Sequence, residues 1–364
     1  MSKPSAPSVG RPLVSVIVPA HNGQATVGDT LHSLARQEYA PVEWIVVDDA
    51  STDGTVRVVE TLFQDPPPVH RLLRHESNLG LSKTLNHGLS EARGEFVLIL
   101  HQDIVLEGTD WIARGVDDLV RNPSVSVVTA DYGIPYLREV DFVQRVFGIL
   151  RRQFHYHAPE GFEYATFTEF KCDLARRSAL EKIGGFPERF RIVGEDLWVS
   201  YTLRASGQQI LKDFRLRSVQ RFTGAAMTVS GNLHKEFLFG KAMAGVLRTF
   251  GSFPTRGLSG SGYSRSRSWN RASQPVVLLT GLLLLVLGFW TRSPWFYWAL
   301  AGLVVARLAF YAARLYPDMA RFLRRRGRAL AESLSGSGLG LLSDFAYTFG
   351  LVVGTVLWSL GRRL

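Results

Sequence analysis

The chain has 364 residues, 46% of them hydrophobic, a formal net charge of +10 and one cysteine, Cys172. That length fits one or two domains, and a single cysteine excludes an intrachain disulfide framework and reads as a buried small hydrophobe. From Arg248 onward there are fifteen Arg, no Lys and three acids, so the basicity flanks apolar runs as it does at a membrane surface, and with no nucleic-acid-binding motif the chain is not expected to bind nucleic acid.

Met1 to Arg11 is Pro/Ser-rich without an apolar core. It is not a secretory signal, and residues 1–12 read as a loose tail. Val14–Val18 is a strand that Pro19-Ala-His-Asn-Gly23 breaks. Thr26–Gln37 carries Val27, Leu31 and Leu34 at helical spacing. Trp44–Val47 is a second buried strand, ending in the paired acids Asp48 and Asp49. Asp53 or Thr52 caps a helix over Thr55–Phe63. Pro66–Pro68 is a loop and His70–Arg74 a short strand. Glu76-Ser-Asn-Leu-Gly80 leads into a helix over Leu81–Glu91 that ends before Gly94. Phe96–Leu100 is an unbroken apolar run, hence a strand buried on both faces. It stops at His101-Gln102-Asp103.

Strand and helix alternate, which predicts an α/β fold with a mainly parallel sheet and helices on both faces. In such sheets ligands bind outside the carboxyl ends of the strands. A dinucleotide site is disfavoured, because the first strand ends in Pro-Ala-His-Asn-Gly rather than a Gly-rich phosphate turn. Two adjacent carboxylates after the second strand suit hydrogen-bond donors such as a nucleobase N–H or ribose hydroxyls. A helix N-cap or turn role is their alternative.

Val125–Thr129 is the next strand. A helix over Val140–Phe154 presents Val140, Val143, Phe147 and Leu150. Arg145, Arg151, Arg152, His155 and His157 suit a solvated or acceptor-side loop better than a metal site. Phe167–Leu174 reads as a strand, Arg177–Ile183 as a helix and Gly184–Pro187 as a turn. Gly194-Glu195-Asp196-Leu-Trp198 opens a helix to Ser206.

These segments resemble a known family. VSVIVPAHN, EWIVVDDASTDGT and ESNLGLSKTLNHGLSEARGEFVLILHQD are similar, in that order and spacing, to the nucleotide-sugar domain of family-2 glycosyltransferases with the GT-A fold. ALEKIGGFPERFRIVGEDLW resembles the acceptor-side motif of the same family, and the resemblance covers about residues 13–250. It implies that Pro19, Ala20 and Asn22 line the nucleotide pocket and that Asp48 and Asp49 hold base and ribose. Asn78, Gly80 and Lys83 would lie near ribose or diphosphate. For Lys83 a solvated helix residue is the alternative.

The resemblance also implies that Asp103 binds a divalent cation, Mg²⁺ or Mn²⁺, bridging the two phosphates. The family's usual Asp-x-Asp reads His101-Gln102-Asp103 here, so His101 and Gln102 join the donor-site candidates and the identity of the metal stays open. An acceptor hydroxyl must lose its proton on attack. The resemblance gives that task to Asp196, with Glu195 as its neighbour. A helix-start acid pair favoured by the macrodipole is the alternative. Trp198 is an acceptor-side candidate, either stacking on a sugar or lying in the core. No His follows the strand near Ser218–Phe222, and the QxxRW motif of processive synthases is absent, so one sugar per encounter is expected.

Gly251 to Ser273 is rich in Gly, Ser and Arg and reads as a basic linker, taken as 251–274. Residues 275–364 read as a membrane domain with spans over about 275–290, 294–316 and 339–360, the third being either a span or an interfacial helix. A hairpin turns at Thr291–Pro294. Arg307 must face a partner helix or lipid phosphate rather than acyl chains. The basic cluster Arg321–Arg328 predicts a multi-pass protein of the cell membrane with its catalytic domain on the cytoplasmic side. The function expected is inverting transfer from a nucleotide-diphosphate sugar to a lipid-linked or glycan acceptor at that leaflet. Transfer onto polyprenyl phosphate, or a non-catalytic membrane scaffold of the same fold, are the alternatives.

Overall fold

A computed structural model describes residues 10–64, 69–133, 141–151, 161–190, 194–221, 223–224, 228–250, 265–323 and 326–360. The chain forms two compact units. One is Met1–Gly133 with Tyr156–Phe222 and Ser259–Ser261; the other is Ile134–His155 with Thr223–Leu258 and Gly262–Leu364. The second unit thus takes in residues 134–155 and 223–250 with the C-terminal helices, whereas the sequence alone draws a boundary at residue 250.

In the first unit the strands are β1 Val14–Ala20, β2 Val42–Asp48, β3 Val69–Arg74, β4 Phe96–Leu100, β5 Ile104–Leu106, β6 Val125–Gly133, β7 Phe162–Ala165, β8 Cys172–Arg176 and β9 Gln209–Gln220. They make one sheet in the order β3-β2-β1-β4-β8-β6-β9-β5, with β7 on β9. β1, β2, β3 and β4 are parallel. β8 then enters antiparallel between β4 and β6.

Period-two alternation sends successive side chains of each strand to opposite faces. Val14, Val16 and Val18 of β1 and Phe96, Leu98 and Leu100 of β4 meet α1 (Val27–Ala35) and α4 (Trp111–Arg121) on one face. Ile17, Val97 and Ile99 meet α3 (Leu81–Glu91), α6 (Arg177–Lys182) and α7 (Glu195–Ala205) on the other. All five side chains of β4 are fully buried, each worth roughly 1.5–3 kcal/mol for a large apolar group. That burial fixes where the strand ends, and so puts His101, Gln102 and Asp103 at the sheet edge. α2 (Thr55–Leu62) follows β2 and turns Val59 into the first face.

Some expectations shift. The strand read over Phe167–Leu174 begins only at Cys172, because Phe170 has a left-handed backbone with φ 47°, which no strand accommodates. β5, β7 and α4 were not anticipated. Pro66–Pro68, His155 and His157 lie outside the described residues, as does most of the loose tail.

The second unit holds α5 (Phe142–Arg151), α8 (Val229–Phe250), α9 (Arg265–Thr291), α10 (Pro294–Phe322) and α11 (Arg326–Ser359). Three of its helical stretches are long and apolar enough to cross a membrane: Ser273–Thr291, Pro294–Ala320 and Gly327–Ser359. The last part of the expected linker is therefore helix, and the third apolar helix starts well before residue 339. Its 33 residues reach about 50 Å at 1.5 Å per residue. α8 lies against α11 at backbone distance, since a Cβ on Gly350 would stand 1.9 Å from the Phe237 carbonyl oxygen. Arg307 does face a partner helix: its Nε donates to Asp344 Oδ2 at 2.8 Å and its Nη2 to Oδ1 at 3.2 Å.

Candidate active site

The carboxyl ends of β1, β2 and β4 lie side by side, and the segments leaving them are laced together. Pro19 and Ala20 are the last two residues of β1, buried and paired with Val47 and Asp48. Asn22 has a left-handed backbone, φ 49°. Its N–H donates to Ser51 Oγ, and its Oδ1 accepts from the Thr52 N–H at 2.9 Å. Gln102 binds the main chain of His21 twice: its Oε1 accepts from the His21 N–H, and its Nε2 donates to the His21 carbonyl, both at 2.9 Å. The Gln102 amide lies directly over Gly23, where a Cβ would meet its Oε1 at 2.0 Å and force the amide to move. Gln102 and Asn22 are therefore spent on building the wall of the site.

Asp48 and Asp49 have different work. Asp49 Oδ1 accepts from His75 Nδ1 at 2.8 Å and from the Leu79 N–H at 2.7 Å, while Oδ2 accepts from the Gly80 N–H at 2.8 Å. Burial pushes its pKa up, but the bonds from His75, Leu79 and Gly80 outweigh that and hold the carboxyl below its usual value. Gly80 has φ 91°, which allows both N–H groups to turn inward. His75 Nε2 in turn meets His87 Nδ1 at 2.9 Å. Asp49 thus anchors the turn that carries Asn78 and Gly80. Asp48 accepts one bond, from the Ser51 N–H to Oδ2 at 3.2 Å. Its Oδ1 is buried without a hydrogen-bond partner among the described residues. Leaving a buried carboxylate oxygen unmatched is costly, and a donor group of a bound ligand would relieve it.

Lys83 stands 3.8 Å from Glu188 on the partly exposed flank of α3, a solvent-screened pairing worth little. Trp198 has one ring face covered, with the Arg189 guanidinium 3.7 Å from the ring centroid. That face is not open to a sugar.

Asp103 Oδ2 accepts from Gln220 Nε2 at 2.8 Å, and its carbonyl accepts from the Arg221 N–H at 2.7 Å. On α7, Gly194 with φ 103° precedes Glu195, which is buried, and Asp196, which is partly exposed. The Leu197 N–H donates to Asp196 Oδ1 at 2.7 Å. Ser200, one turn on, accepts from the Thr168 N–H at 3.2 Å and ties α7 to the segment before β8.

Residues on that segment escaped the sequence. Lys171 forms an ion pair with Glu169, with side chains 14% and 25% exposed. Burial pushes the Lys171 pKa down, but Glu169, then Asp103 and Asp196, more than offset this and hold it above its ordinary value. Asp103 and Asp196, one from the end of β4 and one from the start of α7, therefore act on one ammonium.

Among the described residues no group of three or more His, Cys, Asp or Glu side chains is arranged to hold a metal ion. A cation at Asp103 would take one protein carboxylate and draw its remaining ligands from phosphate and water. That donor set fits a hard, oxygen-seeking ion such as Mg²⁺ or Mn²⁺.

The family model described as Glycosyl transferase family 2 matches residues 15–184. An uncharacterized protein of Mycobacterium tuberculosis is 30% identical over 236 residues, 60% of this chain and 70% of that protein. The GalNAc(5)-diNAcBac-PP-undecaprenol beta-1,3-glucosyltransferase of Campylobacter jejuni is 37% identical over 92 residues, 25% of this chain and only 30% of that enzyme. Among solved structures, a mannosyltransferase from Pyrobaculum calidifontis in complex with GDP-Man and Mn²⁺ shares the fold, with TM-score 0.56 and 21% identity over 96% of this chain and 88% of that one.

Proposed function

The chain belongs to glycosyl transferase family 2 and is a glycosyltransferase, and we propose that it moves one sugar from a nucleotide-diphosphate sugar to a hydroxyl of a lipid-linked or glycan acceptor, with inversion, at the cytoplasmic face of the cell membrane. This reading is supported by the charges of Asp103 and Asp196, both of which help hold the Lys171 pKa up, and by the bond from the His101 N–H to the Lys171 carbonyl, which sets that segment beside the end of β4. A leaving group at Asp103 and a nucleophile at Asp196 would share one space.

In this mechanism Asp48 accepts hydrogen bonds from the nucleoside, and Asp49, Asn22 and Gln102 keep the surrounding turns in place. Asp103 would hold a divalent cation, which neutralises charge on the diphosphate when bound. Asp196 takes the proton of the acceptor hydroxyl as the new glycosidic bond forms. Glu195, buried behind it, fixes the start of α7. The Campylobacter relative, named for an undecaprenol-diphosphate-linked acceptor, and the three apolar helices favour an acceptor carried on lipid.

The test is a donor screen on the full-length protein in lipid nanodiscs, with UDP-, GDP- and dTDP-sugars and Mn²⁺, Mg²⁺ or EDTA. Hydrolysis or transfer with at least one donor is expected, falling by about 10²–10⁴-fold in Asp196→Asn, the usual worth of a general base. Absence of turnover under every condition favours the non-catalytic scaffold. Full activity in Asp196→Asn indicates an acceptor that is already an anion, such as polyprenyl phosphate.

A further inference from the structure

The pairing of β4 with β8 continues past the ends of both strands. Leu100 is opposite Cys172, and the His101 N–H donates to the Lys171 carbonyl at 2.8 Å. Asp103 and Glu169 each lie two residues beyond this pair, on the two segments that leave the sheet here. The stem of Lys171 therefore leaves a pinned backbone at the sheet edge, beside the residues that end β4. Its side chain is 14% exposed, so its charge is little screened by water.

Three carboxylates, Asp103, Glu169 and Asp196, act on that one ammonium. A structural ion pair needs a single acid. An ammonium has three N–H donors, and Glu169 engages it as an ion-pair partner without exhausting them. A diphosphate ester arriving at Asp103 would bring further negative charge into a cluster that is already negative. A fixed cation within the cluster offsets that repulsion.

We propose that Lys171 contacts the diphosphate of the donor and stabilises it as it leaves. This rests on reading the site as one of nucleotide-sugar transfer. The bond between the anomeric carbon and the diphosphate oxygen breaks, and its electron pair stays on that oxygen. The acceptor oxygen bonds the anomeric carbon, and its proton passes to Asp196. Lys171 keeps its own protons throughout and stabilises the charge growing on the diphosphate. In the absence of donor, Glu169 holds the ammonium in position.

The experiment is isothermal titration of the full-length protein in detergent and EDTA, with UDP, GDP and dTDP, each compared with its monophosphate. Wild type should bind at least one diphosphate more tightly than the monophosphate. Lys171→Gln should reduce that preference by about tenfold or more, the worth of a charge-assisted hydrogen bond, with monophosphate affinity unchanged. Lys171→Arg should keep most of the preference, and Glu169→Gln should raise it. An unchanged preference in Lys171→Gln overturns the assignment. So does equal weakening of both nucleotides with a lower melting temperature, which marks a purely structural ion pair. If wild type binds none of these nucleotides, the transfer-site reading fails and the role of Lys171 falls with it; a normal preference in both wild type and Lys171→Gln removes the role of Lys171 alone.

Discussion

The pairing of Arg307 with Asp344 inside the helical unit gives a sharp test of how that unit is held together. Asp344 is fully buried and Arg307 is 8% exposed. Two guanidinium nitrogens reach the two carboxylate oxygens at 2.8 and 3.2 Å. The Tyr311 hydroxyl donates to the same carboxylate, and Arg307 Nη1 reaches Ser273 Oγ at 3.3 Å. The cluster thus joins α9, α10 and α11. Removing Asp344 leaves a buried guanidinium without its carboxylate partner. Breaking such a pair costs about 3–5 kcal/mol, whereas replacing both members with apolar groups is often near neutral. Asp344→Leu and Arg307→Leu should each lose about that much, and the double substitution should recover most of it, for a coupling of several kcal/mol. The assay is denaturant unfolding of the purified protein in lipid nanodiscs, followed by tryptophan fluorescence. A double variant whose loss equals the sum of the single losses refutes the reasoning, because independent groups add.

A Cβ on Gly350 has no room against the Phe237 carbonyl, so Gly350→Ala should cost about 1–3 kcal/mol or more by overpacking, read as a lower melting temperature in detergent, while Gly302→Ala, with open space around it, serves as the silent control. Asp118 has its pKa pushed up to about 7 by burial, by its hydrogen bond with Asp213 and by that group's charge. A carboxyl whose folded pKa exceeds its unfolded one binds its proton more tightly when folded, so stability falls as pH rises from about 4 to about 7. Asp118→Asn should raise the melting temperature at pH 8, change it little at pH 4, and flatten the profile between. Asp49→Ala should leave the Leu79 and Gly80 N–H groups without their acceptor and weaken nucleotide binding through the turn, seen as faster hydrogen exchange over residues 75–80; exchange at the wild-type rate there speaks against an anchoring role.

Much of the sheet was legible because apolar runs name their own burial. Phe96–Leu100 and Leu81–Glu91 end in the structure at the residues where their patterns end in the sequence. The strands beyond β4 were harder. Alternating strand and helix predicts continued parallel pairing, but β8 enters antiparallel from a segment whose left turn at Phe170 leaves no mark on hydropathy. Lys171 was hidden for that reason: the acids Asp103 and Asp196 that act on it follow β4 and open α7, and local spacing carries no record of groups sixty-eight or twenty-five residues away. The helical stretch in residues 265–274 was read as linker because Gly, Ser and Arg composition suggests a loop, yet a helix can extend from an apolar span into a polar flank without changing its backbone bonding. Arg307 was readable in kind, since a charge amid apolar residues requires a partner; that Asp344 supplies it follows only from how α10 and α11 align.

The adjacent acids Asp48 and Asp49 show why a motif does not assign roles residue by residue. They are neighbours at the end of one strand, where successive side chains diverge. Asp49 finds two backbone N–H groups and an imidazole, and every bond it makes lies within the protein. Asp48 retains a buried oxygen with no partner among the described residues. Such an oxygen persists in a stable fold only where something offsets its cost, and binding a hydrogen-bond donor does so when the site is filled. Asp49 therefore fixes the shape of the turn, and in the proposed function Asp48 is the acid that pairs with the donor. The same division separates Gln102, closed onto the main chain of His21, from Asp103, whose carboxylate is held by an amide and whose charge helps hold the Lys171 pKa up.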